Sequence, residues 1–242
     1  MNDEKLDILV FGAHADDVEL CCGGTVIRAT QSGRRVGIVD LTRGEMGTRG
    51  DAETRQKESL ASAGVLGVTV RERLDLGDGR LATDESAETE VIRIIRRHRP
   101  EVVIAPYPDD RHPDHTRTGR LVTDAWFYAG LVKRETDEPA HRPDAVIYYL
   151  QNYVHHPTFV VDITEQWDDR LRAIRCYESQ FHDPTSNEPE TFISKKSFLD
   201  MIEARARHYG ALIGRDFGEG FVTKQPPMIN DVVTAYSGRE IR

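Results

Sequence analysis

The sequence is short of cysteine: three stand in 242 residues, with Cys21 and Cys22 adjacent and Cys176 remote. That spacing suits neither a disulfide framework nor a CxxC zinc pair, so buried free thiols are predicted. Basic charge is also in deficit, with 32 Lys and Arg against 41 Asp and Glu for a net charge of −9. With no long basic run, a general nucleic-acid binder is excluded, because a phosphate backbone demands a basic face. Long apolar runs are missing too; Ile8 to Phe11 and Val102 to Ala105 are typical of those present, and no segment can span a bilayer. The first residues, MNDEKLD, are acidic and polar where a secretory leader would be basic and then apolar. A cytosolic location without membrane attachment is therefore expected.

What is present is an alternation. Val- and Ile-rich runs at 6–13, 36–41, 70–74, 102–106 and 144–150 read as strands. Between them, segments from about Gly24 to Gln31, Asp51 to Leu66, Ser86 to His98 and Thr116 to Leu131 space apolar residues as amphipathic helices do. Gly33, Gly67 and Pro100 supply stops. Five βα units predict a Rossmann-like, doubly wound and mostly parallel sheet with helices on both faces. Past Pro157 the pattern becomes a short strand (TFVVDI), a helix from about Thr164 to Gln180, a polar loop at 182–190, a helix from Phe198 to Leu212 and an irregular tail from Gly218. Without a linker or repeat, 1–242 reads as one unit, with a core at 6–157 and a dependent C-terminal α/β appendage at 158–242.

Ligands of such sheets bind beyond the carboxyl ends of the strands. Three post-strand segments there are rich in reactive groups: GAHADDVE at 12–19, TRGEMGTRG at 42–50 and YPDDRHPDH at 107–115. Imidazole and carboxylate are the ligands of zinc and related ions, and His14, Asp17 and His115 would supply three from two adjoining edges. Each alone has a plainer reading, since Asp16, Asp17, His112 or His115 could cap or begin a helix. Two clusters of this kind on neighbouring strand ends favour a site. GAHADDVELCCGG lacks the GxGxxG spacing and places acids where a pyrophosphate would sit, which disfavours a nucleotide cradle. Glu19 reads equally as a partner holding a ligand histidine or as an acid in a first helical turn. Arg55 opposes the positive end of its own helix unless Glu53 or Glu58 pairs with it. Cys21 and Cys22 read as packing groups. His155, His156, His182 and His208 stand outside any such cluster and read as surface or core residues.

The segments GAHADDVELCCGGT (12–25), RGEMGTRGDAETRQKESLASAGVLG (43–67) and HPDH (112–115) resemble the zinc-dependent N-acetylglucosamine deacetylases of the PIG-L/LmbE-like family. The similarity runs from about residue 6 through FLDMIEARARHYGALIGRDFGEGF at 198–221. RGEMGTRG and that last segment look like the branch acting on N-acetylglucosaminyl malate in bacillithiol biosynthesis. The family's usual AHPDD reads AHADD here, and Ala15 stands at a position that shapes backbone rather than ligating. The resemblance implies one divalent ion, zinc or with the same ligands ferrous iron, on His14, Asp17 and His115. It further implies Asp16 as general base, His112 as the group that polarises the carbonyl or protonates the leaving amine, and Asp114 as the acid that orients His112.

A metal-activated water attacking an amide needs a free carboxylate nearby, which suits Asp16, and a donor for the oxyanion, for which a protonated His112 is expected beside the metal. A malyl aglycone carries two carboxylates, for which Arg55 and Arg111 are candidate bidentate partners, with Glu45 accepting from sugar hydroxyls or fixing an arginine. The plainer alternative pairs Arg55 with a helix acid and Arg111 with Asp109 or Asp110. The expected partner is thus a small-molecule glycoside, and association into a homo-oligomer is expected. The rivals are a deacetylase or amidase of another N-acetylglucosamine conjugate, a metal-dependent phosphoesterase and a metal- or ligand-binding module without turnover.

Overall fold

The computed structural model describes residues 5–237. Its elements run β1 (Ile8–Gly12), α1 (Asp17–Gln31), β2 (Val36–Asp40), α2 (Ala52–Leu66), β3 (Val70–Arg73), α3 (Glu85–His98), β4 (Val102–Pro106), α4 (Pro113–Ala129), β5 (Ala145–Tyr149) and β6 (Phe159–Asp162). A 3₁₀ turn (Thr164–Gln166), α5 (Trp167–Arg175), α6 (Phe198–Leu212), β7 (Gly218–Val222) and a short α7 (Val232–Tyr236) follow among the described residues. One seven-stranded sheet, ordered β3-β2-β1-β4-β5-β7-β6, carries the α/β architecture. β3 through β5 are parallel, and β7 pairs antiparallel with both β5 and β6.

Successive strand residues point to opposite faces, and both faces are buried. Val10, Ile38 and Ile104 pack with α1, α5 and α6 on one side. Leu9, Phe11, Val39 and Val103 pack with α3 and α4 on the other. This two-sided burial is why the strands read as continuous apolar runs. Helix ends follow local chemistry: Asp51 and Asp84 accept from Thr54 and Ala87 amides, and Gly67 closes α2 at φ 69°. Among the described residues no helix is long and apolar enough to cross a membrane.

Four boundaries differ from the sequence expectation. α1 begins at Asp17 rather than Gly24 and is broken at Cys22. α4 begins at Pro113, whose fixed φ and missing N–H suit a first turn, rather than at Thr116. The expected helix over 164–180 is a 3₁₀ turn followed by α5, ending at Arg175. The tail is not irregular from Gly218: GEGFV forms β7, inserted between β5 and β6. Two glycines in five residues hide this strand from propensity, yet they make it possible. A Cβ on Gly218 would come within 2.7 Å of Val160, and one on Gly220 within 2.9 Å of Tyr209.

β1 lies between β2 and β4, so chain direction across the sheet reverses at β1/β4 and leaves a crevice at their carboxyl ends. α4 seals this crevice closely, since a Cβ on Gly119 would stand 2.4 Å from the carbonyl oxygen of Pro106. Alanine is the better helix former by about 1 kcal/mol, but a backbone carbonyl in a central strand cannot step aside. Gly119→Ala is expected to destabilise by about 1–3 kcal/mol, a fall of about 2–12 °C in Tm for a chain of this size. Calorimetry showing an unchanged or higher Tm would contradict this packing.

Candidate metal centre and active site

The β1/β4 crevice opens into a cavity of about 440 Å³ lined by the loops after β1, β2 and β4 and by residues of the C-terminal third. Asp17, at the first position of α1, is buried beneath it. One carboxylate oxygen accepts the amides of Ala13 and His14, each at 2.9 Å. The other lies 2.8 Å from Gln151 Nε2 and 3.2 Å from His115 Nε2. His14 presents Nδ1 to Asp17 at 3.6 Å and Nε2 to Asp78 at 3.1 Å. His115 turns its Nδ1 to Asp110 at 2.8 Å. Each imidazole therefore has one nitrogen on the shared carboxylate and the other on an outer acid, the arrangement that fixes tautomer and ring angle in histidine metal sites.

Donor atoms of His14, Asp17 and His115 all lie within 4.8 Å of one another, and so do those of His14, His112 and Asp114. The first set fits a divalent cation better, because its histidines are held from behind by Asp78 and Asp110. The charge balance agrees. Burial alone would lower the pKa of both imidazoles, but surrounding carboxylates outweigh it. Asp114, Asp17 and Asp78 hold His14 well above its ordinary value, and Asp17 and Asp110 push His115 up to about 9. Burial likewise opposes ionisation of Asp17, yet His115 and His14 keep its pKa well below the carboxylate range. The pocket thus calls for positive charge, which protons or a dication can supply.

Asp16 takes the opposite course from its neighbour. It occupies a left-handed conformation (φ 118°, ψ −24°), unusual for a residue other than glycine, and makes no capping hydrogen bond with its side chain. The carboxylate faces Arg55 Nη2 at 3.4 Å. Burial pushes its pKa up to about 7, with Arg55 resisting and Asp17 adding to the rise.

The remaining candidates are distributed as follows. His112 caps α4, its Nδ1 accepting the Asp114 amide at 3.2 Å, and its ring stacks on His115 with centroids 4.6 Å apart. An accepting Nδ1 leaves Nε2 as the N–H donor, and burial together with cationic His115 and His14 lowers the pKa of His112. Both features favour the neutral ring over the protonated His112 expected from the sequence. Asp114 does not orient His112 through its carboxylate, which accepts from the amides of Gly79 (2.7 Å) and Leu81 (3.2 Å) and stands 3.6 Å from His14 Nε2. Arg55 is no free clamp: it is buried, donates to Gln180 Oε1 at 2.9 Å and to the Ala15 carbonyl, and meets Asp16 instead of Glu53 or Glu58. Arg111 is exposed at the cavity mouth, its guanidinium carbon 4.3 Å above the Phe192 ring. Glu45 accepts the amides of Asp78 (2.8 Å) and Arg43 (3.2 Å) and does not line the cavity, so it is corrected from a sugar contact to a support for Asp78. Cys21 and Cys22 are buried, and burial pushes the Cys21 thiol up to about 12, as unreactive packing groups require.

Asp78, Asp110, Gln151 and Arg205 are participants the sequence reading passed over. Asp110 sat in plain view within PDDRHPDH. Asp78 offers only a GDG loop, and nothing local announces that it reaches His14, 64 residues away.

Comparison with known proteins identifies the family. Residues 9–126 match the family described as PIG-L: GlcNAc-PI de-N-acetylase. The diacetylchitobiose deacetylase of Thermococcus kodakarensis is 33% identical over 235 residues, covering 90% of this chain and 83% of the relative. The crystal structure of the conserved protein TT1542 from Thermus thermophilus superposes with a TM-score of 0.86 at 36% identity, covering 94% and 98% of the two chains. The probable N-acetyl-alpha-D-glucosaminyl L-malate deacetylase 2 of Bacillus anthracis is more distant, at 27% identity over 75% of this chain and 84% of its own. The resemblance to the family holds, whereas the malate branch within it is not established, its member here being 27% identical against 33% for the diacetylchitobiose deacetylase.

A cation held by His14, Asp17 and His115 predicts that His115→Ala abolishes its retention, and that Asp110→Asn weakens it by about 10–100-fold. Uptake must displace protons from imidazoles that the carboxylates favour charged, so apparent affinity falls as pH is lowered. Zinc competition titrations between pH 6 and 9 measure all three effects. Undiminished binding by His115→Ala would remove it from the set.

Proposed function

This chain belongs to the PIG-L: GlcNAc-PI de-N-acetylase family, and from that premise we propose that it is a metal-dependent hydrolase that removes the N-acetyl group from an N-acetylglucosamine conjugate. The observation that carries the reading is the pairing of a dication-ready set, His14, Asp17 and His115, with a separate buried carboxylate, Asp16, on the same cavity. We take the metal to be zinc, with ferrous iron suited to the same ligands. When bound, such an ion acidifies water and draws charge from an acetamide carbonyl.

The residues around it divide the remaining work. Asp16, kept near neutrality by burial and aimed by Arg55, takes the proton of the attacking water and returns it to the departing amine. His112, neutral and donating from Nε2, stabilises the carbonyl oxygen as negative charge develops there. Asp114 serves by fixing His14 and, through its amide, the tautomer of His112. Arg55 is thereby reassigned from substrate binding to the support of Asp16.

The aglycone meets the mouth, where Arg111 lies over Phe192 and where Met46 and Met201 share the lining of the cavity. An exposed guanidinium there supports N-acetylglucosaminyl malate, whose carboxylates a fork would hold. A second reading, an N-acetylglucosamine disaccharide, is favoured by the greater identity to diacetylchitobiose deacetylase. Homo-oligomerisation is part of the proposal and is supported by the exposed apolar residues Met228, Ile229, Val232, Val233 and Tyr236; light scattering on the full chain tests it.

Purified protein loaded with zinc or iron and assayed for free amine on N-acetylglucosamine, N-acetylglucosaminyl malate and diacetylchitobiose decides the substrate. Asp16→Asn should keep its metal and lose about 10²–10⁴-fold in kcat; metal loss instead would exchange its role with a ligand's. Arg111→Gln should raise KM for the malate glycoside while sparing N-acetylglucosamine. Equal effects on both would refute the acidic aglycone.

A further inference from the structure

Helix α1 is two helices joined at Cys22, whose φ of −143° and ψ of 18° are not helical. Such a break frees carbonyls on one side and amides on the other, and in a buried segment they need partners. An ion pair from the C-terminal third meets both needs, with Arg205 Nη2 as a further donor to the Leu20 carbonyl. Arg170 of α5 donates from Nε to the Glu19 carbonyl (3.1 Å) and from Nη2 to the Leu20 carbonyl (2.6 Å). Glu219 of β7 accepts the Gly24 amide (2.9 Å), the Thr25 amide (2.7 Å) and the Thr25 hydroxyl (2.6 Å). The two side chains meet at 3.1 Å, each 2% exposed.

The electrostatics match the break. The cation faces the carbonyl end of the first half and the anion faces the amide end of the second, the favourable sense at both termini. Gly24 also seats the second half of α1 closely, since a Cβ there would strike Ile163, just after β6, at 2.8 Å. The first half of α1 is little more than one turn, too short to hold its place by helix formation alone. That turn begins with Asp17, directly after Asp16, and its Leu20 and Cys21 line the cavity.

We propose that Arg170 and Glu219 are positioning residues for the metal centre: their ion pair, seated in the break of α1, fixes the first turn of that helix and so sets where Asp16 and Asp17 stand. The catalytic consequence rests on the deacetylase reading above, whereas metal binding reports on the inference without turnover. A scaffold role alone would change stability and leave the affinity of the folded protein for metal unaltered.

The test replaces the pair by apolar residues of similar size, Arg170→Met with Glu219→Leu, because a buried ion pair so replaced often leaves the fold intact while a lone buried charge does not. In the folded double variant, zinc affinity measured against a competing chelator should fall about 10–100-fold, the range typical of residues that orient metal ligands. kcat should fall with KM unchanged. Parental zinc affinity overturns the inference. Should the double variant fail to fold, Glu219→Asp, which keeps the charge but draws the carboxylate one methylene back from Gly24 and Thr25, is measured the same way, and parental affinity again overturns it. Weakened zinc binding in a protein whose parent deacetylates none of the three substrates would sustain the inference and discard the deacetylase reading.

Discussion

The buried carboxylate of Asp17 is the constraint on which the site depends. A carboxylate without water costs several kcal/mol unless its oxygens are met, and here two backbone amides, a glutamine amide and an imidazole meet them. Those four partners come from the loop after β1, the segment after β5 and the first turn of α4. Satisfying one acid therefore draws three segments into register at the carboxyl edge of the sheet. The ring nitrogens left outward on His14 and His115 are taken up by Asp78 and Asp110.

Two adjacent aspartates meet opposite fates for the same reason. Asp17 is surrounded by donors and stays ionised, while Asp16, turned away by its left-handed backbone, faces one arginine and is pushed up to about 7. A base is most useful when its pKa lies near the working pH, and burial tempered by a single cation is a direct route to that condition. Arg55 also explains its own placement. A guanidinium in the first turn opposes the helix dipole, but it is oriented away to Asp16, Gln180 and the Ala15 carbonyl.

The C-terminal third is woven into this arrangement. β7 and β6 extend the sheet, α5 and α6 cover one face with α1, and Arg205 reaches the carbonyls of Leu20 and Gln151. These contacts join residues more than 50 positions apart, and none leaves a local mark in the sequence. The GEGFV strand is the clearest instance: its glycines argue against a strand locally and are required by close packing of Val160 and Tyr209.

The sequence by itself determined the parallel α/β core, because strands buried on two faces must be apolar throughout and helices buried on one face must repeat every three to four residues. It also determined which post-strand loops hold the imidazoles and acids, since βα topology sends those loops to one edge whatever the details of packing. Tertiary structure decided which nitrogen faces which acid, why the Asp114 carboxylate serves His14 while only its amide meets His112, and how α1 is interrupted. It also decided that Arg55 is committed to Asp16 while Arg111 stands exposed at the mouth over Phe192. These are choices among partners of similar chemistry. Charge and residue type are local properties, but which of several equivalent acids reaches a given imidazole depends on backbone placement to within an ångström, and only the packed whole sets that distance.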